Sequence, residues 1–588
     1  MSSFIEKQEA YIKEKIKECG YEVEEVVLNV SSRPEFGDYQ YNGAMAMAKA
    51  YGKNPREIAT EIVECIKKDN KYQDINIAGP GFINITFSDE ELIEHVNELK
   101  ENINLNYEND NPKTIFMDYG GANVAKALHV GHLRSANIGE ALKRLAVSLG
   151  NKAIADAHLG DWGRPIGLVM TEIKHRHPEL PYFDESYEGE YPSVSPVTNE
   201  DLMELYPFAS NKSKEDEAYM EEAREITARF QDGEKGLMAL WHHIMNVSKT
   251  DIKRIYDRLN TTFEVWEGES DGDKYIPEMV EYLENKGLVE DSEGARIIEV
   301  KEENDDHEVP PLLLVKSNGS ASYETTDLAC IWERMKLFNP DEIWYLTDAR
   351  QALHFEQVFR AAKKSEIVNE ETKLEFIPFG TMNGADGKPF KTRDGGVMTL
   401  EALLDLAKEE CEKKILPNIV GEERDSIADT VAVAAVKYAD LIPFRLTDYN
   451  FDPIKFSDLQ GKTGPYLLYS TIRMKSLLKK ADEAKIDFKT YSKINSKIDR
   501  DVIICMLNLR SVLTKSINVK SLNDIAEHLY KITNLYNNFY SNNHVLTEEN
   551  RELQESWLVL TKVIYDNNLK LLNILGIEVP EKMQILKI

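Results

Sequence analysis

Three consecutive stretches decide how this chain folds: Ile115-Phe116-Met117-Asp118-Tyr119, then His129-Val130-Gly131-His132, then the run from Leu133 to Leu149. The first has the apolar character of a buried strand, and the last carries apolar residues at helical spacing. A strand that feeds a tight turn, from which a helix departs, presents free backbone N–H groups and a positive dipole end to a ligand. Gly131 has no side chain to obstruct a flat base or a phosphate near the backbone. His129 and His132 stand three apart, so on a first helical turn they share a face and can donate to the same phosphate oxygens. The arrangement suits binding of ATP and reaction at its α-phosphate. Two half-exposed histidines at an ordinary helix start are the plainer alternative.

At 588 residues the chain has room for about three to four domains. No apolar run approaches the ~18 residues of a membrane span, and Met1-Ser2-Ser3-Phe4-Ile5-Glu6-Lys7 lacks the basic-then-apolar form of a signal peptide. Cys19, Cys65, Cys330, Cys411 and Cys505 are isolated, which argues against both a structural zinc and a disulfide framework. The chain reads as cytosolic, without a membrane partner. Its net charge of −31 is unusual for a nucleic-acid binder. Yet Lys455 to Ile588 holds 20 basic against 15 acidic residues, leaving −36 on the residues before it. Between Arg473 and Lys520 the count is 12 against 5. Such a segment can attract a polyanion locally or simply be a solvated helix face.

Residues 1–111 read as a small α+β unit. Ile5 to Cys19 has helical periodicity, and Tyr21 to Val30 alternates like a strand. Phe36-Gly37-Asp38-Tyr39-Gln40 opens a helix-like run to Lys49, and Ile75 to Ile85 reads as two strands about Gly79-Pro80-Gly81. Across 112–455 strands alternate with helices, the pattern of a parallel sheet with crossover helices. An acidic insertion at about 174–310 interrupts it, with a loop at Tyr182 to Glu200 and a long helix from Glu234 to Leu259. The sheet pattern resumes with Leu312 to Val315, Glu342 to Leu346 and Leu374 to Pro378. Residues 456–588 are helical, over Gly464 to Lys480, Arg500 to Ser516, Leu522 to Tyr540 and Arg551 to Leu575. The fold class is therefore multidomain α/β.

Asn123-Val124-Ala125-Lys126-Ala127-Leu128-His129-Val130-Gly131-His132-Leu133-Arg134-Ser135 resembles the class I arginyl-tRNA synthetases. So do Gly160-Asp161-Trp162-Gly163, Tyr256-Asp257-Arg258-Leu259-Asn260, Gly268-Glu269-Ser270 and the ending Leu575 to Met583. Phe36 to Gln40 with Ala78 to Asn84 resembles the family's N-terminal appended domain, so the likeness covers nearly the whole chain. The resemblance implies a Rossmann-type parallel-sheet catalytic domain. It also implies an N-terminal domain that touches the tRNA elbow and a C-terminal α-helical anticodon-binding domain. The implied reaction is ATP-dependent activation of L-arginine to arginyl-adenylate, followed by transfer to tRNA(Arg). Magnesium would accompany the ATP phosphates, no protein metal site is implied, and the enzyme is expected to be a monomer.

Under this resemblance His129, Gly131 and His132 hold ATP, and Lys126 supplies a cation beside the histidines. The family's KMSKS loop is replaced by Gly387 to Gly396, which departs from the pattern. Lys388, Lys391 and Arg393 are its candidates for the phosphates, a basic surface turn being the alternative. Arginine recognition needs carboxylates and acceptors in a fixed fork. The resemblance points to Asp118, Asn123, Tyr323, Asp327 and Gln351. Tyr323 and Asp327 are four apart and share a helix face, although Asp327 can equally be a helix N-terminal acid and Tyr323 ordinary core. Gly120-Gly121-Ala122 before Asn123, and Thr326 before Asp327, are departures from the usual context.

In the C-terminal helices Tyr466, Tyr469, Arg473, Lys475, Tyr536 and Tyr540 interleave rings with cations, as splayed anticodon bases require; packing in the core is the competing use of these tyrosines. Two rival functions remain open in the sequence. Small nucleotidyltransferases share His-x-Gly-His but are shorter and lack a basic helical tail. A synthetase-like protein that binds tRNA without charging it is the second.

Overall fold

The computed structural model describes residues 3–101, 107–391 and 396–581. Its first helix, Phe4–Glu18, starts at a capping box in which the Glu6 amide donates to Ser3 Oγ and the Ser3 amide to the Glu6 carboxylate. Four strands follow: β1 (Leu28–Val30), β2 (Tyr39–Tyr41), β3 (Asp74–Ala78) and β4 (Phe82–Thr86). They form an antiparallel sheet in the order β1-β2-β4-β3. The alternating stretch from Tyr21 is a strand only over its last three residues. The helix expected from Phe36 begins at Ala44. Tyr39 and Tyr41 are both buried while Gln40 between them bonds Asn84, so a period of two prevails locally over the helical pattern.

The middle of the chain contains β5 (Thr114–Asp118), β6 (Lys152–Asp156), β7 (Val289–Ser292), β8 (Ala295–Ile298), β9 (Leu312–Val315), β10 (Glu342–Asp348) and β11 (Lys373–Phe379). Four of them make a parallel sheet in the order β11-β10-β5-β6. The helix Gly131–Ser148 crosses from β5 to β6, and the chain later returns to β10 on the other side of β5. The carboxyl ends of β5 and β10 therefore flank a switch point, where open α/β sheets bind ligands. Asp118, Asp156 and Asp348 end three of these strands.

Leu312 to Val315 does not join this sheet. It pairs antiparallel with β8, which forms a hairpin with β7. Glu293 and Gly294 at the hairpin tip both have positive φ, 51° and 82°, which matches the twist of a tight two-residue turn. The short strand β6, Lys-Ala-Ile-Ala-Asp, has little β propensity of its own and gains its conformation from pairing with β5.

The C-terminal part is helical over Gly464–Glu483, Lys497–Leu507, Leu509–Val519, Asn523–Asn542 and Arg551–Ile574. The single helix expected from Arg500 to Ser516 is broken at Asn508. Lys497–Val519 as a whole reaches the length and mean hydropathy of a membrane span, but it is two helices with half of that apolar window buried inside the protein. One apolar core joins this region to the N-terminal unit. The join is reinforced where the Arg500 guanidinium donates to both Asp38 oxygens (2.6 and 2.9 Å) and to Phe87 O.

Candidate active site

Beyond β5 the chain turns at Gly120, whose φ is 68°, and a Cβ there would lie 2.8 Å from Phe263. Tyr256 Oη donates to Gly120 O at 2.5 Å, and the Gly120 amide donates to Ser135 Oγ. Gly160 runs alongside Asn123; a Cβ on Gly160 would meet Asn123 Oδ1 at 2.3 Å. Ala125 is held at φ 65°, a conformation unusual for a side-chain-bearing residue, while its amide donates to Ser248 Oγ. These contacts bring Lys126, His129 and His132 to the head of the Gly131–Ser148 helix.

The first amides of that helix are engaged. The Gly131 amide donates to His129 Nδ1 at 3.0 Å, the His132 amide to His129 O and the Leu133 amide to Val130 O. The site therefore differs from the expected open helix terminus: its donors are imidazoles. The His129 amide donates to His132 Nδ1 at 3.0 Å, so both Nδ1 atoms are acceptors and each neutral ring carries its proton on Nε2. The ring centroids are 4.1 Å apart. Burial pushes His129 down and His132 to about 3, with Lys126 adding repulsion to both. The pair thus offers two neutral N–H donors next to one ammonium. Lys126 Nζ lies 4.4 Å from the Tyr206 ring centre. Gly131 is required by His129 itself, since a Cβ would sit 2.7 Å from His129 Cε1.

The loop that follows Gly384 is fastened to the same backbone. The Val130 amide donates to Met398 O, the Leu400 amide donates to Leu128 O, and His129 bridges Thr399 antiparallel. Lys388 is exposed on a turn closed by its amide and Asp386 Oδ1, and exposed Lys391 bridges Val397. Arg393 lies outside the described residues.

Asp118 is already engaged: buried Arg334 donates to Asp118 Oδ2 at 2.7 Å, to Asp156 Oδ2 at 3.1 Å and to Tyr345 Oη at 2.9 Å. Burial pushes Asp118 up, and Arg334 opposes it. Tyr323 is 67% exposed at the start of the Tyr323–Leu337 helix, and Asp327 lies one turn on. His354 Nε2 is bonded to Asp327 Oδ2, which brings exposed Gln351 beside this turn. Glu269, not selected from the sequence, joins the acidic wall. Burial pushes it up to about 7; His158 opposes the rise, and Asp161 and Asp327 add to it. Its signal was the motif Gly268-Glu269-Ser270. Asp161 of Gly160-Asp161-Trp162-Gly163 accepts from the Ser270 amide and hydroxyl at 3.0 and 2.6 Å, so the two motifs are one structure. Burial that disfavours the charge on Glu269 suits this carboxylate to a cationic side chain, whose arrival restores it. Among the described residues no group of three or more His, Cys, Asp or Glu side chains is arranged to hold a metal. The donor set at the histidines suits phosphate oxygens.

Residues 95–453 match the family model described as tRNA synthetases class I (R), catalytic domain. Residues 6–87 match the arginyl tRNA synthetase N terminal domain, and 467–583 the DALR anticodon binding domain. The chain is 44% identical to the arginine–tRNA ligase of Alkaliphilus oremlandii, over 99% of this chain and 100% of that one. It is 43% identical to that of Agathobacter rectalis, over 96% and 97%. The chain belongs to the class I arginyl-tRNA synthetases. The fold agrees with the crystal structure of arginyl-tRNA synthetase from Plasmodium falciparum, with a TM-score of 0.81 at 24% identity, covering 99% of this chain and 100% of that one.

On the helical domain of this arginyl-tRNA synthetase, Tyr466, Tyr469 and Arg473 share a face of the Gly464–Glu483 helix. Arg473 lies between the rings of Tyr469 and Tyr540, 5.6 and 4.6 Å from their centres, and is bonded to Asn537. Tyr466 Oη donates to Asn534 and accepts from Asn537. Lys475 is half-exposed, 3.4 Å from Glu581. Tyr536 does not belong to this face. Its ring is fully buried and its hydroxyl is shared with Thr561 at 3.1 Å, because its position on the Asn523–Asn542 helix points it inward beside Phe539. It has no surface left for a base.

Proposed function

We propose that this chain is an arginine–tRNA ligase that works in two steps. A carboxylate oxygen of L-arginine attacks the α-phosphorus of ATP, pyrophosphate leaves, and arginyl-adenylate forms. A hydroxyl of the terminal ribose of tRNA(Arg) then attacks the arginyl carbonyl, and AMP leaves. No protein nucleophile is needed; the chain aligns the reactants and stabilises charge as it develops. His129 and His132 donate their Nε2 protons to the phosphate oxygens, Gly131 keeps the approach open, and Lys126 adds positive charge. Lys388 and Lys391, with Arg393, close over the pyrophosphate. Magnesium arrives with ATP. Asp118, Asn123, Tyr323, Asp327 and Gln351 hold arginine, and Glu269 adds a carboxylate that ionises when the guanidinium enters. Tyr466, Tyr469, Arg473, Lys475 and Tyr540 meet the tRNA. The enzyme acts as a monomer in the cytoplasm, away from any membrane.

One observation carries this reading. His129, His132 and the backbone of Met398 to Leu400 are all hydrogen-bonded to one short segment, Leu128–Val130, which supports joint action of the histidines and this loop on the phosphates. Charging of total tRNA with labelled arginine, against a panel of other amino acids, tests it. Arginine alone is expected to be esterified; failure to charge with ATP and magnesium present overturns the proposal.

A further inference from the structure

The helix Tyr323–Leu337 and the helix Ala352–Lys364 meet where His354 Nε2 is bonded to Asp327 Oδ2. Both side chains are mostly buried, 18% and 26% exposed, so the bond is shielded from competing water. Tyr323 precedes Asp327 by one turn, and Gln351 precedes His354 by one turn. This contact therefore sets the spacing between the Tyr323–Asp327 pair and the Gln351–His354 pair. A carboxylate presents two oxygens; with one held by the imidazole, the other is left for a ligand in a fixed direction. We propose that His354 is a positioning residue for arginine recognition, orienting Asp327 toward the guanidinium and making arginine affinity depend on whether the imidazole carries a second proton. The inference rests on the assignment of Asp327 to the arginine site.

The charged groups facing His354 are Asp327 and Glu324, both from the neighbouring helix; on its own helix Phe355 presents a ring, edge-on, 5.0 Å away. Burial lowers the His354 pKa, but the two carboxylates outweigh that and leave it raised above 6.5. A guanidinium arriving at Asp327 brings a second cation to the same carboxylate, which disfavours the imidazolium. Arginine binding should then release a proton from His354, and affinity should rise as the pH rises through the titration of the free enzyme.

Arginylation kinetics of the full chain with total tRNA, from pH 6 to 8.5, test the proposal. His354→Ala is expected to raise the KM for arginine about tenfold with kcat little changed, the loss of one charge-assisted hydrogen bond. His354→Gln keeps an N–H donor that does not titrate. It should recover most of the KM while abolishing the fall of KM with rising pH, a split that a purely structural role would not produce. Asp327→Asn should raise the KM, and adding His354→Ala to it should cost little more. If Asp327→Asn raises the KM but both His354 variants keep the wild-type KM and pH profile, the role given to His354 is wrong while the arginine site stands. An unchanged KM in Asp327→Asn removes the site assignment and this inference together.

Discussion

The guanidinium of Arg334, 1% exposed, donates to Asp118 Oδ2 at the end of one strand and to Asp156 Oδ2 at the end of its neighbour. The enzyme thus holds one of its own guanidinium groups directly beneath the cleft proposed for free arginine. Asp118 is therefore a carboxylate already paired from below, while the Asp327 carboxylate is bonded to His354.

Replacing Arg334 by Met takes the guanidinium from fully buried Asp156 and from half-buried Asp118. Loss of one member of a buried ion cluster costs about 3–5 kcal/mol, and denaturant unfolding should register a drop of that size. Arg334→Lys should rescue little, because a single ammonium does not span Asp118, Asp156 and Tyr345 as the planar fork does.

His132→Ala is expected to reduce arginylation by ~10²–10³, the usual effect of losing one donor to transition-state charge. Affinity for tRNA, measured by gel shift, should be nearly unchanged. Gly131→Ala acts through its neighbour: the added carbon displaces the His129 ring, and a rate loss on the order of tenfold to a hundredfold should follow with the fold intact. Equal loss of tRNA binding in either variant would contradict the role given to this turn.

Imidazole NMR should find His132 neutral, with its proton on Nε2, down to about pH 4, since burial holds its pKa at about 3. The activity profile between pH 6 and 8 should accordingly carry no step from this residue.

His528 shapes stability against acid. It is buried, Nε2 has no hydrogen-bond partner, and burial with nearby Lys531 lowers its pKa to about 4. The unfolded chain takes up the proton at about 6.5. Its contribution is therefore full above pH 6.5 and is lost as the pH falls toward 4. Thermal melts should show stability dropping across that window, with a shallower slope in His528→Leu.

Arg500→Ala removes the charge-assisted bonds to Asp38 that tie the helical region to the N-terminal unit. A loss of about 1.5–3 kcal/mol is expected, seen as faster proteolysis within residues 3–88 rather than within the parallel sheet. Unaltered cleavage there would argue that the shared apolar core alone holds the two regions together.

Much of the fold could be read from periodicity. The helices at Gly464, Asn523 and Arg551 begin within a residue of where the spacing of apolar positions puts them, since each buries one continuous stripe. The strand assignments were weaker. Leu312 to Val315 looks like β5 in composition, yet pairs in a separate antiparallel sheet; four apolar residues do not specify their partner. Tyr536 and Tyr540 share one face of their helix, and only the placement of neighbouring elements along it covers the first, bonded to Thr561, and leaves the second, one turn on, beside Arg473.

The order of motifs along the chain was enough to determine the family, the three-part layout and the strand–turn–helix unit around Gly131, because strand, glycine turn and helix are local patterns with local causes. Tertiary structure alone decided which nitrogens of His129 and His132 bear protons, that Arg334 occupies Asp118, and that His354 grips Asp327. Those features depend on distances between residues up to 216 positions apart. Burial then sets the electrostatics: a side chain's charge state follows from what surrounds it after the chain has closed on itself, which its neighbours in sequence do not specify.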